Sequence, residues 1–224
     1  MSSLVRRSLA EAVGTCGFVF LGCAATISNF FPGARYDTVG VAFVHAAALG
    51  LFITAMMNIS GGHLNPAVTL GFLSTGRIKA QEAGAYIAAQ LVGAVLAALL
   101  VRYSYPDPIV RTGTLGTPAI ASSITFGQAI VFEAIGAFVL VSAVYGTIVA
   151  QEKPVLGGFG VGIALLAIIL VVGPLTGATV NPARAFGPAV VSGTFVAQAV
   201  WWVGPILGGL IAAQLWDRVL LKKD

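Results

Sequence analysis

The residues able to do chemistry are few, and most stand where a charge is expensive. Glu11, Glu133 and Arg184 lie in or beside long apolar stretches, in a chain of 224 residues of which only 9% are charged. An ionised group in such surroundings must face a polar cavity or a dedicated set of partners. Two carboxylates could relay protons or coordinate an ion. No Ser/His pairing and no His/Glu metal spacing accompanies them, which argues against an enzyme and against a bound cofactor or metal. The only histidines are His45 and His63. Cys16 and Cys23 are too far apart for a bridge within one helix, so no disulfide or metal framework follows from them. The most telling signal is a tripeptide that occurs twice, Asn65-Pro66-Ala67 and Asn181-Pro182-Ala183. Asn is a strong helix N-cap, and Pro loses nothing at the first helical position because that N–H has no helical partner.

The elements that must hold these residues are apolar helices. Hydrophobic residues make up 58% of the chain, and its mean hydropathy is +0.95. A water-soluble domain carries about 25% charged residues. Twelve Lys and Arg against eight Asp and Glu leave a charge of +4, too sparse for a nucleic-acid footprint. A membrane-crossing helix needs about 20 mostly apolar residues. The charge-free stretches 12–34 and 83–101 each fit one span, and 125–150, carrying Glu133, fits another. The first run is long and lacks a small-residue cleavage pattern, so it reads as a retained span rather than a signal peptide. The stretches 38–76 and 154–216 are too long. They hold one and two spans, and each leaves a remainder of about 20 residues, one span's worth by length. Both remainders contain an Asn-Pro-Ala after small residues. They predict two half-helices, at about 65–75 and 181–192, entering the membrane without crossing it. The fold class is therefore an all-α membrane protein with six transmembrane helices and two re-entrant half-helices.

The halves repeat. The segment 9–14 around Glu11 resembles 131–136 around Glu133, and Gly93 matches Gly208. One domain over 1–224 holds repeat one, about 8–102, and repeat two, about 125–220. Three spans per repeat put the second half in the membrane the other way up, an inverted 3+3 arrangement. Lys and Arg choose the orientation. With the N-terminus inside, the cytoplasmic set is Arg6, Arg7, Arg77, Lys79, Lys153, Arg218, Lys222 and Lys223. The outer set is Arg35, Arg102 and Arg111, so both termini are expected in the cytoplasm. Short tails favour a plasma (inner) membrane over an internal one.

Two Asn-Pro-Ala half-helices, a Glu-x-x-Gly in the first span of each half and Arg184 directly after the second Asn-Pro-Ala resemble the aquaporin (major intrinsic protein) family, over about residues 8–220. The resemblance implies a homotetramer in the lipid bilayer, each subunit with its own pore for water and small neutral solutes. The half-helix N-termini then face each other, and their partial positive charges, about half a unit each, repel cations and hydronium. Each Asn would cap its helix with the side-chain oxygen and keep its NH2 free for a passing water. Gly61, Gly62 and His63, with Gly177, Ala178 and Thr179, would supply pore carbonyls, the His63 ring making structural hydrogen bonds. Glu11 and Glu133 would hold the re-entrant loops by accepting from backbone N–H groups. Phe18, Leu49, Leu140 and Leu165 would form an apolar pore wall; alone, each reads equally well as ordinary packing.

Arg184 occupies the position of the family's constriction arginine, and counting from the motifs adds His45, Ile169 and Ala178. Water-selective members usually carry an aromatic at the first of these and a His at the second. His-Ile-Ala-Arg is similar to plant vacuolar (tonoplast) members, associated with water plus ammonia, urea or hydrogen peroxide. Ala185, Ala189, Trp201 and Trp202 depart from the glycerol-conducting pattern. The expected function is passive single-file water conduction that excludes protons and ions, with the other solutes secondary. The alternatives are a glycerol facilitator, an ion-coupled secondary transporter and a non-conducting scaffold.

Overall fold

The computed structural model describes residues 3–34, 37–150 and 154–221, and among these every regular element is helical. The chain runs through α1 (Ser3–Ser28), α2 (Asp37–Met56), α3 (Pro66–Ser74), α4 (Ala80–Ser104), α5 (Asp107–Thr112), α6 (Phe126–Val144), α7 (Gly158–Thr176), α8 (Pro182–Ser192) and α9 (Val200–Leu215). Five stretches are long and apolar enough to cross a membrane: α1, α2, α4, α7, and α6 with the π-helical turn Tyr145–Val149 that continues it. The sixth long helix, α9, is shorter and is likewise prolonged by a π-helical turn, Trp216–Leu220. The half-helices α3 and α8 start where the Asn-Pro signals put them.

The spans overrun the charge-free stretches that predict them. α1 begins nine residues before Ala12 and takes in Arg6, Arg7 and Glu11. Charges stop an apolar count but not a helix, because end residues reach water and an interior one can be satisfied by protein. The chain between α4 and α6 is also more ordered than a plain connection. It forms α5 and the one-turn 3-10 helix Thr114–Gly116.

Packing follows the repeat. α1 lies against α4 and α6 against α9, the first and third spans of each half, while α2 packs on α7 across the halves. The half-helices are exchanged: α3 sits on α9 and α8 on α4. In lipid there is no hydrophobic drive between helices, so close packing of small residues must hold them. A Cβ on Gly93 would collide with the Ala12 carbonyl, and one on Gly208 with the Ala134 carbonyl, the equivalent crossing in each half.

Polar pairs close the two ends. Arg7 pairs with Glu82 and Arg77 with Asp217, which gathers the starts of α1 and α4 and the end of α9 at one face. Arg102 and Arg111 share Asp107 at the opposite face, at 3.1 and 3.7 Å. Of the cations used for orientation, Arg35, Lys153, Lys222 and Lys223 lie outside the described residues.

Candidate functional site: the meeting point of two half-helices

Each half-helix is capped as its sequence dictates. The Asn65 side-chain oxygen accepts from Ala67 N at 2.8 Å. That of Asn181 accepts from Ala183 N at 3.0 Å and Arg184 N at 3.3 Å. The amide nitrogens are not wholly free, which corrects the expectation stated above. Asn65 Nδ2 donates to Val180 O and Asn181 Nδ2 to Leu64 O, both at 2.9 Å. Each amide thus spends one hydrogen tying its half-helix to the other half and retains one for a further acceptor. These crossed bonds put the two helix tips in contact.

The residues just before the caps carry the backbone strain. Leu64 and Val180 adopt φ of 50° and 44°. Positive φ is rare outside glycine, and for a β-branched side chain it is a true outlier. The glutamates hold both in place. Glu11 accepts from His63 N, Leu64 N, Ser60 Oγ and Gln90 Nε2 at 2.6–3.0 Å. Glu133 accepts from Thr179 N, Val180 N, Thr176 Oγ1 and Thr179 Oγ1 at 2.6–3.1 Å. Leu64 and Val180 therefore give their N–H to their own half's carboxylate and their carbonyl to the other half's Asn. A carboxylate accepting four bonds has its lone-pair sites filled, so protein donors satisfy each glutamate at this depth.

The carbonyls that precede these two residues are another matter. Those of Gly61, Gly62, His63, Gly177, Ala178 and Thr179 receive no hydrogen bond from a donor among the described residues, although most of these residues are buried. Buried carbonyls are nearly always paired, with protein or with water. Six stand unpaired here, in two runs of three, one run before each Asn cap, with their acceptor sites open. Gly62 is required on space as well as conformation, since a Cβ there would come 2.9 Å from the Ile53 carbonyl. The His63 ring is engaged structurally, its Nδ1 3.1 Å from Thr69 Oγ1.

Arg184 is 5% exposed and reaches outward from the first turn of α8. It donates to the Gly116 carbonyl at 3.0 Å and lies 3.4 Å from His45 Nε2. The other ring nitrogen of His45 is 2.9 Å from the Val41 carbonyl. A carbonyl only accepts, so Nδ1 carries the hydrogen, and the neutral ring presents Nε2 as an acceptor to the guanidinium. His45, Ile169 and Arg184 line one cavity of about 440 Å³, together with Gly116, Thr117 and Gly177. Ala178, counted with these three in the sequence, is buried, and its neighbour Gly177 is the residue of that stretch that lines this cavity. Phe18 meets the His45 ring edge to face at 6.2 Å, and Leu49, Leu140 and Leu165 are buried in the same central apolar cluster.

Sequence reasoning missed Gly116. It offers only a carbonyl, which no residue type advertises. The available signal was the Gly113-Thr114-Leu115-Gly116 run, in which Thr114, Leu115 and Gly116 all take positive φ and fold the loop over Arg184.

Comparison with known proteins shows the family. Residues 1–216 match the family model described as major intrinsic protein. Aquaporin TIP4-4 of Zea mays is 38% identical over 98% of this chain and 88% of its own length. Probable aquaporin TIP4-1 of Oryza sativa subsp. japonica is 40% identical over the same shares, and aquaporin TIP2-1 of Arabidopsis thaliana 37% identical over 97% and 88%. The X-ray structure of the aquaglyceroporin from Plasmodium falciparum superposes with a TM-score of 0.86 over 97% of both chains, at 25% identity. The chain belongs to the major intrinsic protein family, the aquaporins. It is an integral, multi-pass membrane protein of a channel family.

Proposed function

We propose that this protein is a passive channel that conducts water in single file and turns away protons and ions. The observation that carries the reading is the pair of runs, three unpaired carbonyls each and four of the six on buried residues, meeting at two crossed Asn amides. Water moves along the carbonyls as a donor. At the centre, the free hydrogens of Asn65 and Asn181 bind its oxygen, so its own hydrogens point outward and a continuous proton wire is interrupted. The positive ends of α3 and α8 oppose cations at the same point. Arg184 opposes them again at the constriction, with His45 as its acceptor partner and Ile169 as an apolar wall. Phe18, Leu49, Leu140 and Leu165 serve as the weakly binding wall.

Ammonia, urea and hydrogen peroxide are the secondary solutes, since Ile169 removes a donor that a stricter water channel would carry. The glycerol reading is disfavoured by Ala185, Ala189, Trp201 and Trp202, although a structural neighbour is described as an aquaglyceroporin. A coupled transporter needs carboxylates open to its ions, and Glu11 and Glu133 are filled by protein donors. We further assign the protein to a homotetramer with a pore in each subunit, and to an orientation with both termini cytoplasmic. The TIP-named relatives lend no support to a plasma-membrane location. The test is stopped-flow shrinkage of proteoliposomes with water, glycerol, urea and ammonia. A channel raises water flux with a low temperature dependence and needs no ion gradient; flux equal to empty vesicles would refute it.

A further inference from the structure

Each extended stretch opens on a hydroxyl residue, Ser60 in the first half and Thr176 in the second, and both are bonded alike. The hydroxyl donates to the half's glutamate, at 2.6 Å in each case. The same oxygen accepts the backbone N–H two residues on, from Gly62 at 3.1 Å and Ala178 at 3.2 Å. The carbonyl of each is taken by a buried aromatic from the third span of its own half. Tyr86 donates its hydroxyl to Ser60 O at 2.8 Å, and Trp201 donates its indole N–H to Thr176 O at 3.0 Å. The correspondence is not one of residue type, and the repeat in sequence does not reveal it. It is one of position, since Tyr86 and Trp201 stand at equivalent places in α4 and α9.

We infer that Tyr86 and Trp201 are the positioning residues of the permeation path. Each draws one carbonyl out of the file and so fixes the direction of the next three, which carry no other hydrogen bond. The N–H sides of these two peptides bond back into the preceding turn, Gly61 N to Met57 O at 3.1 Å and Gly177 N to Gly173 O at 2.9 Å, so the aromatic is the partner that holds the carbonyl side. This rests on the channel reading above. The two aromatics act on different properties. The Thr176–Gly177 peptide borders the cavity that holds Arg184, so Trp201 governs selectivity. Ser60–Gly61 lies on the far side of the Asn caps, so Tyr86 governs the rate of passage alone. An indole is a donor only, whereas a phenol can also accept, so the outer carbonyl is held by the less adaptable partner.

The test is stopped-flow permeation of water and urea through proteoliposomes bearing wild type, Tyr86→Phe or Trp201→Phe, normalised to incorporated protein, with thermal unfolding in detergent measured alongside. Tyr86→Phe is expected to lower water permeability about fivefold, the factor carried by one ordinary hydrogen bond, with an unchanged urea-to-water ratio. Trp201→Phe is expected to raise that ratio about fivefold. Folded variants with wild-type permeability and ratio would overturn the assignment, as would losses of water and urea flux that merely track lost thermal stability. Tyr86→Phe removes one oxygen and no carbon, so it decides the matter if Trp201→Phe does not fold. Wild-type vesicles without raised water flux would overturn the channel reading and this inference together; wild-type flux with unaltered variants overturns only this one.

Discussion

Arg184 is the one described cation held inside the molecule, and two neighbours and a cavity explain how. Gly116 O and His45 Nε2 accept from it, and it lines the cavity of about 440 Å³. Replacing it by valine removes the charge and widens the constriction. Arg184→Val is expected to raise urea permeability about tenfold relative to water, equivalent to about 1.4 kcal/mol off the barrier, and to admit a proton leak. Stopped-flow light scattering and a pH-sensitive dye inside the vesicles read the two effects; an unchanged solute profile would contradict the constriction role. His45→Phe with Ile169→His makes the opposite change, narrowing the cavity and restoring a donor. Ammonia uptake in that double variant should fall toward empty-vesicle levels while water flux persists. Arg184, the two Asn and the two Glu were legible in the sequence because a polar residue in an apolar run has no bland use. Gly116 was not, because its contribution is a backbone carbonyl that only the folded loop brings to Arg184.

At the scale of elements, each re-entrant stretch is an irregular backbone buried at membrane depth, and a single carboxylate makes it tenable. Glu11→Leu would strip acceptors from His63 N, Leu64 N, Ser60 Oγ and Gln90 Nε2 at once. Two buried N–H groups left unpaired cost about 1–3 kcal/mol each. The variant should therefore unfold in detergent at a clearly lower temperature, by scanning fluorimetry, and lose water flux; an unshifted transition would show that the loop holds itself. The half-helices were foreseeable from Asn-Pro and from the excess length of two apolar runs. The left-handed backbone at Leu64 and Val180 was not, since neither residue favours it. It arises because the carboxylate of one half and the amide of the other fix both sides of the same residue.

At the scale of the whole molecule, neither half is complete alone. α3 rests on α9 and α8 on α4, and the Asn amides cross between halves. The inverted repeat also sets topology, because six crossings return the chain to its starting face. A protease-sensitive tag on either terminus should be cleaved only after right-side-out vesicles are permeabilised; cleavage of one tag in intact vesicles would break the expected arrangement. The described ion pairs fall at two opposite faces. Arg7–Glu82 and Arg77–Asp217 lie at one face and the Arg102–Asp107–Arg111 group at the other.

The amino-acid sequence alone determined the spans, the two half-helices, their inverted relation and most of the polar residues of the path. Those follow from local facts, namely the length of apolar runs, the capping chemistry of Asn-Pro and the cost of a charge in lipid. Only the tertiary structure decided which hydrogen of each Asn amide remains available, which carbonyls go unpaired, that Gly177 rather than Ala178 lines the outer cavity, and that Tyr86 and Trp201 answer each other. The Asn, Tyr86 and Trp201 bonds each join groups more than twenty residues apart, the rest depends on which backbone groups find no such partner, and residue types do not record where backbone groups point.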